Sequence, residues 1–225
     1  MKLKTVQASA IKSVFDVLKD IVSDVNIVFD STGVTLKTLD MAKVTFINMH
    51  LKANNFEIYE CPTRVTAGLN ISNTFKLLKI IGNNDTLEMS IPESHDIMEI
   101  IVENVQKKSK TVYKMKLLDI NEEEYNLNNM TFDITTNVAS MYFQRIVRDM
   151  LNFSSDVIIQ RTPNQIIFAC DGDFVGQVTE IEASECPCET FKHTYSLKYI
   201  NMFAKATNIC STRSEEHTSE LQSPY

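Results

Sequence analysis

Glycine and proline are scarce in this 225-residue chain, five of each. That scarcity excludes collagen-like, repeat-linker and disordered readings. No apolar run approaches the roughly 20 residues of a membrane span, so no membrane partner is expected. The opening Met1-Lys2-Leu3-Lys4-Thr5 lacks the apolar core of a signal peptide. Five cysteines without such a signal read as reduced thiols in an intracellular compartment. Catalytic signatures are also missing: there is no glycine-rich phosphate loop, G-x-S-x-G elbow or H-E-x-x-H pair. A binding protein with no cofactor and no bound metal is therefore expected, not an enzyme.

What is present is ordinary globular material, 44% hydrophobic with a net charge of −7. At about 150 residues per domain, the length fits one or two domains. The last 13 residues, Arg213 to Tyr225, have no apolar period and resemble a translated sequencing adapter. They read as a non-native end and are set aside from the fold. Removing their one Arg and three Glu leaves −5. Net acidity by itself argues against nucleic acid as a partner.

Short apolar alternations predict strands, and stretches of 3.6-residue spacing predict four helices. The helices fall at Ala10–Val22, Ser72–Ile81, Val138–Leu151 and Leu197–Ala206, with Ser9 a candidate cap for the first and Gly82 for the second. Between the second and third helices stands Asp119–Asn129, acidic and Asn-rich, with isolated Ile120, Tyr125 and Leu127. After it the plan restarts. Lys19-Asp20 closes the first helix and precedes strand Asn26–Asp30; Arg148-Asp149 closes the third and precedes strand Val157–Arg161, 129 residues later. This reads as an internal duplication. Three strands follow the second helix, whereas the set-aside tail follows the fourth, so the second copy reads as incomplete. The expected domains are 1–118, a connecting loop 119–129, a second domain 130–212, and the tail 213–225.

The polar stripe of every helix is basic: Lys12 and Lys19; Lys76 and Lys79; Arg145 and Arg148; Lys198 and Lys205. One such stripe is an ordinary solvated face. Four of them in an acidic chain point to a sorted positive surface that holds phosphates without reading bases. Cys186, Cys188, His193 and Asp173 form the alternative constellation, a metal-dependent enzyme site, although a lone C-x-C is a weak signal. His50 and His95 have no evident catalytic partners.

The pattern resembles the proliferating cell nuclear antigen (PCNA) family of DNA sliding clamps. The resemblance is carried by Val6-Gln7-Ala8-Ser9, Leu18-Lys19-Asp20, Ser31-Thr32-Gly33-Val34-Thr35-Leu36 with Leu39-Asp40, Tyr113 to Asp119, Arg145 to Asp149, and Leu197 to Thr207. It runs in register from residue 1 to about 210. It implies an α+β DNA-clamp fold of two similar β-rich domains, each with two helices on one face of antiparallel sheets. It further implies a head-to-tail homotrimeric ring around double-stranded DNA, with Lys12, Lys19, Lys76, Lys79, Arg145, Arg148, Lys198 and Lys205 on the DNA side and the Lys107, Lys108 and Lys110 cluster close by. An outer groove for short motifs of DNA polymerase, clamp loader and repair proteins would use Leu39, Val44, Phe46, Tyr125 and Leu127. Strands near Thr111–Leu117 and Phe174–Ile181 match the subunit seam, and the implied location is the nucleus or a viral replication site. A damage-checkpoint clamp subunit is the related alternative. The turn Thr162-Pro163-Asn164-Gln165 lacks the lysine that receives ubiquitin-like modifiers in many family members.

Overall fold

A computed structural model describes residues 1–82, 84–92, 96–121, 136–184, 190–205, 207 and 220–221. The chain divides into two compact units, Met1–Asn126 and Leu127–Tyr225. Every strand pairing in both is antiparallel.

The first unit opens with β1 (Lys2–Thr5) and α1 (Ala8–Leu18), then β2 (Asp24–Asp30), β3 (Gly33–Leu39), β4 (Phe46–Lys52) and β5 (Ile58–Glu60). It continues with β6 (Val65–Asn70), α2 (Ile71–Leu78), β7 (Thr86–Ser90), β8 (Ile97–Asn104) and β9 (Ser109–Lys116). Four strands form a sheet in the order β4-β3-β2-β6, and five form another in the order β5-β1-β7-β8-β9. Leu36, Leu87 and Ile100 on these strands and Ile71 and Leu78 on α2 are fully buried. The sheets meet where Gly68 bridges Leu118. A Cβ on Gly68 would lie 2.1 Å from the Leu118 carbonyl oxygen, so the contact needs glycine.

The second unit begins with β10 (Thr136–Asn137), α3 (Ser140–Leu151), β11 (Asp156–Arg161) and β12 (Gln165–Asp171). It ends with β13 (Gly176–Glu182), β14 (Phe191–Ser196), α4 (Leu197–Ala204) and β15 (Glu220–Leu221). Its four-stranded sheet runs β13-β12-β11-β14, the same plan as β4-β3-β2-β6, with a helix before the hairpin and another after the last strand. Details repeat as well. The first amide of α2, on Ile71, donates to the Ser23 carbonyl at 2.8 Å; the first amide of α4, on Leu197, donates to the Ser155 carbonyl at 2.8 Å. The core of this unit gathers Phe143, Ile146, Val147, Met150, Val157, Phe168 and Leu197. Phe143 and Phe168 lie with ring centroids 5.9 Å apart.

Several boundaries differ from expectation. The first helix ends at Leu18, not Val22, because the amides of Ile21 and Val22 both turn back to the Leu18 carbonyl. Tight turning buries Ile21 and Val22, which keeps their apolar signal without α-helix. Ser9 lies inside that helix; Gln7 occupies the cap position and makes no side-chain cap bond. The second helix stops at Leu78 with Lys79 as its C-cap, and the Gly82 amide instead bonds the Asp85 carboxylate at 2.8 Å. Residues 122–135, which hold most of the expected connecting loop and the start of the expected second domain, lie outside the described residues. Within the segment set aside as non-native, Glu220 and Leu221 pair with Asn137 and Thr136. That pairing is made by backbone groups, which any sequence supplies.

Candidate nucleic-acid interface

Each basic residue projects from a helix whose other side is buried in its own unit. In α1 the core takes Val14, Phe15 and Leu18, and in α2 it takes Ile71, Thr74 and Leu78. The 3.6-residue period then leaves Lys12, Lys19, Lys76 and Lys79 on the opposite side. Lys12 donates to the Ile81 carbonyl at 3.4 Å, tying α1 to the end of α2. Lys19 sits between Asp16 at 2.9 Å and Asp20 at 3.1 Å, with its ammonium 5.1 Å from the centre of the Phe75 ring. Partial burial opposes its charge, but the two carboxylates outweigh that and raise its pKa above the ordinary lysine value. Lys76 and Lys79 are exposed; Lys76 contacts the Asn73 side chain at 3.4 Å. Asn70 caps α2 by accepting the Asn73 amide at 2.9 Å.

The turn between β8 and β9 is held to the end of α2 by a short relay. Asp85 accepts the Gly82 amide and the Asn104 side-chain amide, and Asn104 in turn accepts the Lys107 amide at 2.7 Å. These two donors, Gly82 first, hold the Asp85 carboxyl below its usual range. The backbone of exposed Lys107 is thereby tied through Asn104 to Asp85, while Lys110 pairs with Glu103 at 3.3 Å. In the second unit Arg145 and Arg148 are exposed on α3, and Lys198 is exposed on α4. Arg145 has a loose ion pair to Asp149 at 3.8 Å, worth little on an exposed helix. Lys205 is half-buried at the C-cap of α4.

The described groove residues stand around one loop, but of them only Leu39 lines the pocket beside it. Leu39 ends β3, Phe46 begins β4, and exposed Val44 stands in the loop between them. That loop is built on buried Asp40, whose carboxylate accepts the amides of Ala42, Val44 and Thr45 at 3.2, 2.8 and 2.7 Å. Lys43 takes a left-handed backbone, φ 56°, to close it. Between this loop and the exit of α1 lies a pocket of about 320 Å³, lined among others by Val22, Val25, Leu39, Asp40 and Met41. Met41 is 82% exposed at its rim. Sequence reading missed Val22, Val25, Asp40 and Met41 as contributors; an acid directly after a strand and before a tight loop was the available signal. Tyr125 and Leu127 lie outside the described residues.

The strands expected at the seam are sheet edges. On β9 the exposed stripe is Lys110, Val112, Lys114 and Lys116; on β13 it is Val178, Glu180 and Glu182. One edge is basic and the other acidic.

Of the alternative metal constellation, Cys186 and Cys188 lie outside the described residues. Exposed His193 is on β14 against the Phe191 ring, with centroids 4.6 Å apart, and Asp173 is exposed in the turn before β13. Among the described residues no three His, Cys, Asp or Glu side chains gather as a metal site.

A duplicated antiparallel unit carrying two helices, with basic residues on the outward helix faces, defines a DNA-clamp fold. The family description "Proliferating cell nuclear antigen, N-terminal domain" matches residues 1–125, and its C-terminal-domain counterpart matches residues 126–221. The chain is 33% identical over 220 residues to the probable DNA polymerase sliding clamp 1 of Paramecium bursaria Chlorella virus 1, covering 93% of this chain and 84% of that protein. It is 30% identical over 221 residues to the proliferating cell nuclear antigen of Chaetomium thermophilum, covering 92% and 84%. The chain belongs to the PCNA family.

Proposed function

We propose that this chain is a subunit of a DNA polymerase processivity factor, a ring that encircles duplex DNA and slides along it. The observation that carries the reading is the repeated basic helix face, present in both units of a chain whose net charge is −7. Lysine and arginine hold the phosphate backbone without sequence readout, so the contact is loose and salt-sensitive. Enclosure then retains the DNA where affinity alone would release it. The role is binding and not catalysis, and its place is the nucleus or a viral replication site.

Self-association into a head-to-tail homotrimer is supported by the two oppositely charged edges. Antiparallel pairing with Val112 opposite Val178 puts Lys110 opposite Glu180, and like charges never face each other. The recess beside the loop built on Asp40, where Leu39 and Met41 stand among polar Ser23, Asp24, Thr38 and Lys43, is proposed to take short motifs of polymerase, clamp loader and repair proteins, with Val44 and Phe46 on the loop beside it. Tyr125 and Leu127 are proposed as its linker-side wall.

The test is polymerase extension on primed circular DNA in the presence of a clamp loader. Addition of the chain should lengthen the products, and K76E with K79E should shorten them to the clamp-free length. Unchanged product lengths in both comparisons would remove the proposal.

A further inference from the structure

The α3–α4 face of the second unit carries something that the α1–α2 face does not. Among its cations stand Met141, 75% exposed, Tyr142, 44% exposed, and Phe203, 39% exposed. The two helices run antiparallel side by side. The Gln144 side chain donates to the Ala204 carbonyl at 2.9 Å, and the Thr207 hydroxyl donates to the Ser140 carbonyl at 3.2 Å. These bonds put Met141 and Phe203 at the same end of the helix pair, with Tyr142 beside Met141 and Arg145 one turn along. Asp149 is the single acid in α3, and α4 has none. On α1 and α2, by contrast, the outward positions are Lys12, Asp16, Ser72, Asn73, Lys76 and Lys79, the exposed apolar residue just beyond them is aliphatic Ile80, and the nearby ring of Phe75 lies beneath the Lys19 ammonium.

Duplex DNA gives aromatic side chains no base face along its length, since each face is covered by its stacked neighbour and only base edges, sugar and phosphate are exposed. Rings among cations match a strand whose bases are unpaired: the cations follow the backbone while each ring takes a base face. Arginine suits this better than lysine because its planar guanidinium also stacks. We propose that the α3–α4 face binds unpaired DNA, with Tyr142 and Phe203 stacking on bases, Met141 packing beside them, and Arg145, Arg148 and Lys198 holding phosphates. The inference rests on the DNA reading above and adds single-stranded DNA, as at a primer end or gap, to the duplex as a ligand.

Fluorescence anisotropy at low salt with the full chain tests it, using a labelled 20-nucleotide oligothymidylate and a labelled 20-base-pair duplex. Y142A and F203A should each weaken oligothymidylate binding about tenfold, the size expected for one stacked base, and change duplex binding less than twofold. Y142F should retain the wild-type affinity, and F203L, which keeps apolar bulk without a ring, should behave as F203A. Circular dichroism melting of each variant checks that the exposed substitutions leave the fold intact. Equal losses on both DNAs, or none on oligothymidylate, would overturn the inference while leaving the duplex reading in place. A shift in sedimentation without a change in DNA affinity would also overturn it, assigning the patch to protein contact. If the wild-type chain binds neither DNA and K76E with K79E has no effect, the failure lies with the clamp reading itself.

Discussion

The two units share a plan but not a surface chemistry, and their hairpins show the difference most clearly. In the first unit the turn after β2 is closed by an acid. Asp30 accepts both the amide and the hydroxyl of Thr32, at 2.7 and 2.6 Å, and Gly33 follows at φ 145°. In the second unit the equivalent strand ends on buried Arg161. Its guanidinium donates to the Thr136 hydroxyl at 2.9 Å, to the Gln165 and Ser184 carbonyls at 3.2 and 2.6 Å, and to the Thr162 carbonyl. The helix layers diverge in the same way: restrained Lys12 and Lys19 beside exposed Lys76 and Lys79 on one, arginines among exposed rings on the other. Duplication therefore conserves which backbone groups must pair and which faces must be buried. The polar solution at each turn and surface is free to drift, because many side chains can satisfy the same backbone.

Core truncation breaks the comparison most strongly. F168A removes a ring that is 1% exposed and should cost about 3–5 kcal/mol, and L36A about 2–5 kcal/mol. Urea titration with residue-resolved amide exchange should show each variant losing protection chiefly in its own unit. Equal loss in both units would mean that they unfold as one.

The two hairpins come next. R161M removes the guanidinium from the Thr162 and Ser184 carbonyls, while the Gln165 carbonyl keeps the Thr162 amide at 2.9 Å, and should cost about 1–3 kcal/mol. D30A, at an exposed turn, should lower the melting temperature by clearly less. Reversal of that order would show that the guanidinium is replaceable by water.

Reversing one charge at the proposed seam should weaken self-association severalfold. K110E alone should shift sedimentation toward the monomer, and K110E with E180K should restore the wild-type distribution. No shift in either would place the seam elsewhere.

The smallest effect is a titration. The Thr32 hydroxyl, and then its amide, hold the Asp30 carboxyl below its ordinary range. Its contribution is therefore complete above the ordinary aspartate pKa and is lost as pH falls through the lower folded value. The Thr32 amide resonance should move in that acid window, while the Gln165 backbone amide, which donates to the Thr162 hydroxyl at 3.2 Å, should not.

Much of the fold was legible because periodicity survives translation into burial. The alternation in Val25, Ile27 and Phe29 became a strand with those three side chains buried. The helical spacing of Phe143, Ile146, Val147 and Met150 became the buried side of α3. Helix ends were less legible, since the turn after Leu18 buries Ile21 and Val22 without an α-helix, and apolar spacing cannot distinguish the two. The basic residues on the helices were read directly, because a polar stripe opposite an apolar one must face outward. The groove was read only in part. Leu39, Val44 and Phe46 were visible as apolar residues around a loop, but Val22 and Val25 enter the pocket from 14 or more positions away.

By itself the sequence determined the duplication, the antiparallel β-rich class, and the sorting of positive charge onto helices. All of these follow from residue spacing along one chain. Only the tertiary structure decided how far each cation is restrained: Lys19 between two carboxylates and over a ring, Lys107 placed by Asp85 through Asn104, Arg145 nearly unpaired. It alone placed Met141 and Phe203 at the same end of a helix pair. These are distances between residues far apart in sequence, set by how layers pack, and no periodicity records them.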